Sequence, residues 1–418
     1  MHKKKLSFLE WINYIKFFKR KNDFCLKNVI NIAKKLDLLH FFSFIFVVGG
    51  TNGKGSVCYI LEKILLYSRY KVGLYTSPHL ISYLERIRIN GFHLDKDWHV
   101  LAFKKIEEAR QSLKISYFDF ITLSALFLFK YFKVNVIILE VGLGGKLDAT
   151  SIVANDISII TNIDFDHKEI LGKTRFKIAH EKAGIFKKNK IAIIGEEKRI
   201  PKSIYSTAKK LNTSLIRVNF EWFYEKKENT WNFISKKWKF YGLPYSNIPL
   251  INISVAFAAL SKSNLFVDTN FLKKKLFPIN IPGRFSIVQE NPRIILDVAH
   301  NSHASFYLSK EIKKISKKYL KIYAVIGILE KKDFDGIVSN FFGIINKWNF
   351  ILLNQNEKKF IDRVKKNLFF KDYKFFFNVQ NAWNDIFLSV SKKDLILVFG
   401  SFITVSKVMN ILKININK

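Results

Sequence analysis

Gly49-Gly-Thr-Asn-Gly-Lys-Gly-Ser56 is the segment of this 418-residue chain best suited to phosphate chemistry. Glycines let backbone N–H groups converge on phosphate oxygens, and a helix starting there adds a favourable dipole. Lys54 would reach the β- and γ-phosphates, and the Ser56 hydroxyl would hold Mg²⁺. The strict pattern puts Ser or Thr directly after the lysine, and here Gly55 intervenes. Ile137-Ile-Leu-Glu-Val-Gly-Leu-Gly-Gly145 delivers Glu140 where a nucleotide-bound metal needs an oxygen ligand, although an ion-paired strand-end carboxylate has the same look. Ile160-Thr-Asn-Ile-Asp-Phe-Asp-His167 brings Asp164, Asp166 and His167 to another strand end, expected beside the first. Lys182 falls in a helical stretch ending near Gly184, where a lysine would ordinarily be solvated. Pro282-Gly-Arg-Phe285 and Leu296-Asp-Val-Ala-His-Asn301 add a cation and an Asp/His/Asn cluster, residue types that also cap helices.

The elements that must hold these groups alternate in type. Phe44–Val48 reads as a buried strand feeding the glycine turn, and a helix follows from about Lys54 to Ser68. Strands are expected at Lys71–Tyr75, Val134–Val141, Asp156–Asn162 and Ile191–Gly195, with a helix over Tyr117–Phe132. Strands separated by helices imply parallel pairing in an α/β sheet, a P-loop ATPase-like domain. Phe220–Tyr245 alternates aromatic and polar residues and reads as a local antiparallel hairpin or meander. Pro278 and Pro282-Gly283 punctuate the chain and divide it into residues 1–285 and 286–418. Strands at Ile294–Asp297, Tyr323–Leu329, Phe350–Leu353, Phe375–Val379 and Leu395–Phe399 then describe a smaller, doubly wound Rossmann-like domain.

Composition narrows the class. The net charge is +36, and 59 of the 70 basic residues are lysine rather than the arginine that nucleic-acid readers favour. Lys, Phe, Ile and Asn share A/T-rich codons, so the charge reads as compositional drift. A basic nucleic-acid-binding protein is the disfavoured alternative, since it leaves Glu140, His167 and Asp297 unexplained. Two cysteines, Cys25 and Cys58, make neither a disulfide framework nor a zinc knuckle. With no apolar run of about 18 residues, a cytoplasmic protein without membrane or nucleic-acid partners is expected.

Taken in order, GTNGKGS (50–56), TSPHL (76–80), ERIRING (85–91), LEVGLGGKLDAT (139–150), EKAGIFK (181–187), PGRF (282–285), DVAHN (297–301) and FGSF (399–402) resemble one family. It is the folylpolyglutamate synthase and dihydrofolate synthase group of ATP-dependent amide ligases, relatives of the Mur ligases. The resemblance covers about Asp23 to Val405 and accounts for the extra glycine in the loop. It implies ATP contacts at Gly50, Thr51, Asn52, Gly53, Lys54, Gly55, Ser56, Asn252, Arg284 and Asp297. It implies Mg²⁺, with an additional monovalent cation in view, and metal ligands at Ser56, Ser77, Glu140, His167 and a carbamylated Lys182. Lys54, His167, Lys182 and His300 are the implied catalytic residues, and His300 and Ser401 would help orient glutamate or nucleotide. Pterin contacts are implied at Asp23, Phe24, Ser116, Tyr117, Phe118, Asp119, Leu147, Asp148 and Ala149. The expected substrates are ATP, L-glutamate and dihydropteroate or folates, handled by a monomer whose Pro-Gly hinge near residue 282 permits closure. The Asn22-Asp-Phe segment favours a bifunctional enzyme over a monofunctional folylpolyglutamate synthase. A peptidoglycan ligase is disfavoured, because only 48 residues precede the phosphate loop. Asp119 replaces the family's usual Glu, and Lys146 its usual Arg, which loses bidentate geometry. Lys331 occupies an often acidic position.

Overall fold

A computed structural model describes residues 6–18, 26–353, 357–367 and 369–414. The chain divides into two compact units. The first comprises Met1–His79, Tyr83–Ser246 and Leu250–Pro278, and the second Leu80–Ser82, Asn247–Pro249 and Ile279–Lys418.

The first unit is built on an eight-stranded sheet. Its strands are β1 (Phe44–Gly49), β2 (Val72–Tyr75), β3 (Ile87–Ile89), β4 (Phe92–His93), β5 (Val136–Glu140), β6 (Ile157–Ile160), β7 (Ile191–Ile194) and β8 (Ser214–Arg217), in the order β4-β3-β2-β5-β1-β6-β7-β8. β2 and β5–β8 pair in parallel around β1, whereas β3 and β4 add antiparallel pairs at one edge. β1, β2, β5 and β6 are almost wholly buried runs of Val, Ile, Leu and Phe, as strands covered on both faces must be. The edge pairs were not anticipated. β3 is three residues long and β4 two, too short for alternation to register. Arg88 in β3 is tied to Glu62 of the helix Lys54–Tyr67 by a short ion pair.

A separate three-stranded antiparallel sheet follows, with β9 (Trp222–Lys226), β10 (Thr230–Ser235) and β11 (Lys239–Pro244) in the order β11-β10-β9. This is the expected meander. Its aromatics close on Phe257, with the Trp231, Phe233 and Phe240 ring centroids at 6.1, 5.4 and 5.6 Å. Phe257 belongs to the helix Leu250–Lys262, so the meander fixes that helix and the Asn252 in its first turn.

The second unit carries a six-stranded sheet. β12 (Ser286–Glu290), β13 (Arg293–Leu296), β14 (Ile322–Ile326), β15 (Lys347–Ile351), β16 (Tyr373–Phe376) and β17 (Leu395–Phe399) run in the order β12-β13-β17-β14-β15-β16. All pairs are parallel except β12–β13. β15 begins three residues before the expected Phe350, because Trp348 and Asn349 are already buried in the ladder. Among the described residues no helix is long and apolar enough to cross a membrane.

Candidate functional site

Four strand ends of the first unit converge. β1 pairs with β5 at Val48↔Glu140 and with β6 at Gly49↔Ile160, while β2 meets β5 at Tyr75↔Leu139. Loops leaving the carboxyl ends of β2, β5, β1 and β6 therefore line one edge, where open α/β sheets bind ligands. The expected adjacency of the Glu140 and Asp164 strand ends is corrected in one respect: β1 lies between them.

The phosphate loop is held open by its neighbours. Thr161 Oγ1 and Asn162 Nδ2 donate to Asn52 O at 2.6 and 3.1 Å, and Asn52 N donates to Asn162 Oδ1 at 3.0 Å. Thr51 Oγ1 donates to Asp164 O at 3.0 Å. Sequence reasoning did not single out Thr161 and Asn162, although a polar pair directly after an apolar strand was a usable signal. Gly50 and Gly53 have φ of +138° and +85°. A Cβ on Gly53 would stand 2.3 Å from Asn252 Oδ1, which places the Asn252 amide against the loop. Gly53 caps the helix Lys54–Tyr67 with no side-chain hydrogen bond, leaving first-turn N–H groups for an anion. Lys54 folds back, its Nζ donating to Gly50 O and Thr51 O at 3.3 and 3.2 Å.

Glu140 is buried, and its Oε2 accepts from Ser77 N at 2.9 Å. Its other oxygen lies 3.5 Å from the Cβ position of Gly55. Glu140, Ser77 and the helix start that carries buried Ser56 thus form one group. Cys58, one turn on, is buried, and burial together with Glu140 pushes its thiol well above the usual range. Lys182, in the helix Arg175–Ala183, is also buried. Burial and the nearby Lys54 charge lower its ammonium to about 7, with Asp166 opposing. Its side chain makes no hydrogen bond or ion pair among the described residues. His167 is half-exposed, 3.9 Å from Asp166, and has a left-handed φ of +49°. Asp164 pairs with Lys198 at 2.9 Å. Among the described residues no three His, Cys, Asp or Glu side chains gather into a metal cluster. The donors at hand are one carboxylate and hydroxyls, hard oxygens that suit a divalent cation completed by substrate phosphates and water.

A cavity of about 220 Å³ lies in the same unit, lined by Phe18, Ser116, Tyr117, Phe118, Asp119, Leu147 and Asp148. Phe18 was not anticipated. The carboxylates on its wall serve their own loops. Asp119 Oδ2 accepts from Ser116 N and Oγ at 2.9 and 2.7 Å, a capping box for the helix Tyr117–Tyr131. Asp148 accepts from Gly142 N, Leu143 N, Thr150 N and Thr150 Oγ1, and burial raises its pKa against those bonds. Ala149 is buried and is not among the residues lining the cavity. Asp23 and Phe24 lie outside the described residues. Nearby, Arg86 Nε donates to His79 Nδ1 at 2.8 Å. Burial and Arg86 lower His79 to about 4.

In the second unit, Asp297 follows β13 and accepts from Phe285 N and Ala299 N at 2.8 and 2.7 Å. Burial raises its pKa, with Arg284 opposing. The Arg284 guanidinium lies 5.4 Å from the Phe402 ring centroid, and the His300 ring 6.0 Å from it. His300 Nδ1 lies 2.8 Å from Val298 O. Ser401 caps the helix Phe402–Ile411 through Thr404 N at 3.1 Å. Arg284, Asp297, His300 and Ser401 are thus gathered at the carboxyl ends of β13 and β17.

Comparison with known proteins matches residues 48–265 to the Mur ligase middle domain and 283–402 to the Mur ligase glutamate ligase domain. A dihydrofolate synthase/folylpolyglutamate synthase of Buchnera aphidicola subsp. Schizaphis graminum is 48% identical, over 98% of each chain. The Escherichia coli protein of that name is 39% identical, over 96% of this chain and 94% of its own. The structure of E. coli FolC in complex with DHPP and ADP superposes with a TM-score of 0.92 at 38% identity, covering 98% of both chains. A Yersinia pestis bifunctional folylpolyglutamate synthase/dihydrofolate synthase complexed with AMPPNP and Mn ion gives 0.91 at 37%, covering 98% of this chain and 99% of the other.

Proposed function

Because the chain belongs to the Mur ligase family, in its dihydrofolate synthase/folylpolyglutamate synthase branch, we propose that it joins L-glutamate to dihydropteroate and to folates at the expense of ATP. The observation that carries this reading is local to the first unit. A phosphate loop faces a buried carboxylate and a buried lysine, and the same unit holds an aromatic-walled cavity.

The Gly50–Ser56 loop binds the triphosphate through its N–H groups, and Asn252 shapes the loop from behind. Lys54 leaves its loop carbonyls to meet the β- and γ-phosphates. A substrate carboxylate oxygen attacks the γ-phosphorus, ADP leaves, and an acyl phosphate forms. The amine of glutamate then attacks the acyl carbon, loses a proton, and inorganic phosphate departs. When bound, a divalent cation, Mg²⁺ in this reading, would offset the charge that develops on the transferred phosphoryl group. Glu140, Ser56, Ser77 and His167 are the residues that would hold it. Lys182 joins them if its neutral amine adds to CO₂ and releases a proton, which turns a buried cation into a carbamate. Tyr117, Phe118 and Leu147 hold the pterin, while Asp119 and Asp148 keep the cavity wall in shape. Arg284, Asp297, His300 and Ser401 serve nucleotide and glutamate from residues 286–418 and the segment just before them.

The reading takes the protein to be a cytoplasmic monomer, which light scattering of the purified chain checks for mass. The decisive assay supplies ATP, L-glutamate and dihydropteroate and looks for dihydrofolate, then repeats with a reduced folate and looks for the diglutamate. Product only from the second substrate would leave a folylpolyglutamate synthase; product from neither removes the proposal.

A further inference from the structure

Arg86 is 7% exposed. A guanidinium withdrawn from water to that degree normally finds a carboxylate, because an uncompensated buried charge is strongly disfavoured. Here the only side-chain hydrogen bond among the described residues is the one from Nε to His79 Nδ1, 2.8 Å long. That partner brings no negative charge. The remaining guanidinium N–H groups have no protein acceptor among the described residues.

The surroundings say where an acceptor would come from. The Arg86 guanidinium carbon lies 5.7 Å from the centroid of the Tyr117 ring, and Tyr117 is a wall of the 220 Å³ cavity. On its other side Arg86 grips His79, in the turn whose Ser77 N–H holds Glu140. One cation therefore stands against a wall residue of the cavity and holds the turn beside the phosphate loop. The fork geometry of arginine suits a planar carboxylate. From this geometry we infer that Arg86 binds the carboxylate of the pteroate-type substrate and aims it from the cavity toward the phosphate loop. The assignment rests on the ligase reading and adds a substrate-positioning residue to it.

The test compares two ligands, dihydropteroate and its carboxamide, which differ only in the charged group. Affinities for both are measured by calorimetry with a non-hydrolysable ATP analogue present, on the natural chain, Arg86→Lys and Arg86→Gln. The natural chain should prefer the acid by roughly tenfold to hundredfold, the worth of a charge-assisted hydrogen bond. R86Q should lose that preference while its carboxamide affinity stays within about twofold, and R86K should fall between. Carboxamide binding reports that the cavity is folded, and R86K decides alone if R86Q does not fold. Equal weakening of both ligands, or an acid preference kept in the variants, overturns the assignment and leaves the ligase reading intact. A natural chain that binds neither ligand overturns both.

Discussion

Lys182 is the residue whose chemistry is most sharply constrained. It is buried, without an ion-pair partner among the described residues, and lowered to about 7 by burial and Lys54. If it serves as a carbamate, Lys182→Ala should lose roughly 100-fold in kcat, the scale seen when a metal-site group is removed. Acetate added to that variant should recover part of the loss, and Lys182→Arg should not be rescued; steady-state assays across acetate concentration read both. His99 makes a separate prediction. It is fully buried, and burial lowers it to about 4 from 6.5. The unfolded chain binds its proton first, so stability is complete above about pH 6.5 and is lost progressively as pH falls toward 4. The contribution is on the order of 3 kcal/mol, and His99→Phe should flatten the slope of denaturation midpoint against pH in that window. At this scale some roles were legible and others were not. Gly53 and Glu140 stood out because the glycine turn follows one buried strand and the carboxylate ends another. Arg86 sat in a conspicuous ERIRING segment with no sign that one of its two arginines would lack a carboxylate. Arg88, two residues on, has Glu62.

Elements, not isolated loops, fix the phosphate site. The helix Leu250–Lys262 presses Asn252 against Gly53, and the β9–β11 aromatics hold that helix through Phe257. Gly53→Ala would add a Cβ 2.3 Å from Asn252 Oδ1 at a φ of +85°. The expected result is a loss of about 1–3 kcal/mol in stability with weaker ATP binding, followed by thermal melts with and without nucleotide. Adding Asn252→Ala should relieve the clash but not the backbone strain, so recovery should be partial. The buried parallel strands were readable because continuous apolar runs between glycine turns leave little choice. β3, β4, β8 and β12 escaped because short strands at or next to a sheet edge owe their existence to a neighbour's free hydrogen-bonding edge, which no local pattern records. Asp119 and Asp148 show the converse. Their positions were foreseen as substrate contacts, yet their carboxylates are engaged in the loops that form the cavity.

Across the whole molecule the dominant feature is the charge of +36. Such a field raises the local concentration of anions, and ATP and folates are anions. Raising ionic strength should depress kcat/KM well before it changes kcat, as Debye screening shortens the reach of the field. A kcat/KM that does not respond to salt would leave the charge as compositional drift alone. The alternation of strand and helix was the most legible part of the chain, since it repeats across hundreds of residues and survives local error.

Cys58 sits one turn into the phosphate-loop helix, buried and with its thiol held protonated. A disulfide reagent can reach it only when that helix opens, so its labelling rate is a clock for local unfolding. With Cys25 replaced by serine, ATP should slow the clock in proportion to its occupancy. The loop's stability could then be timed without any turnover.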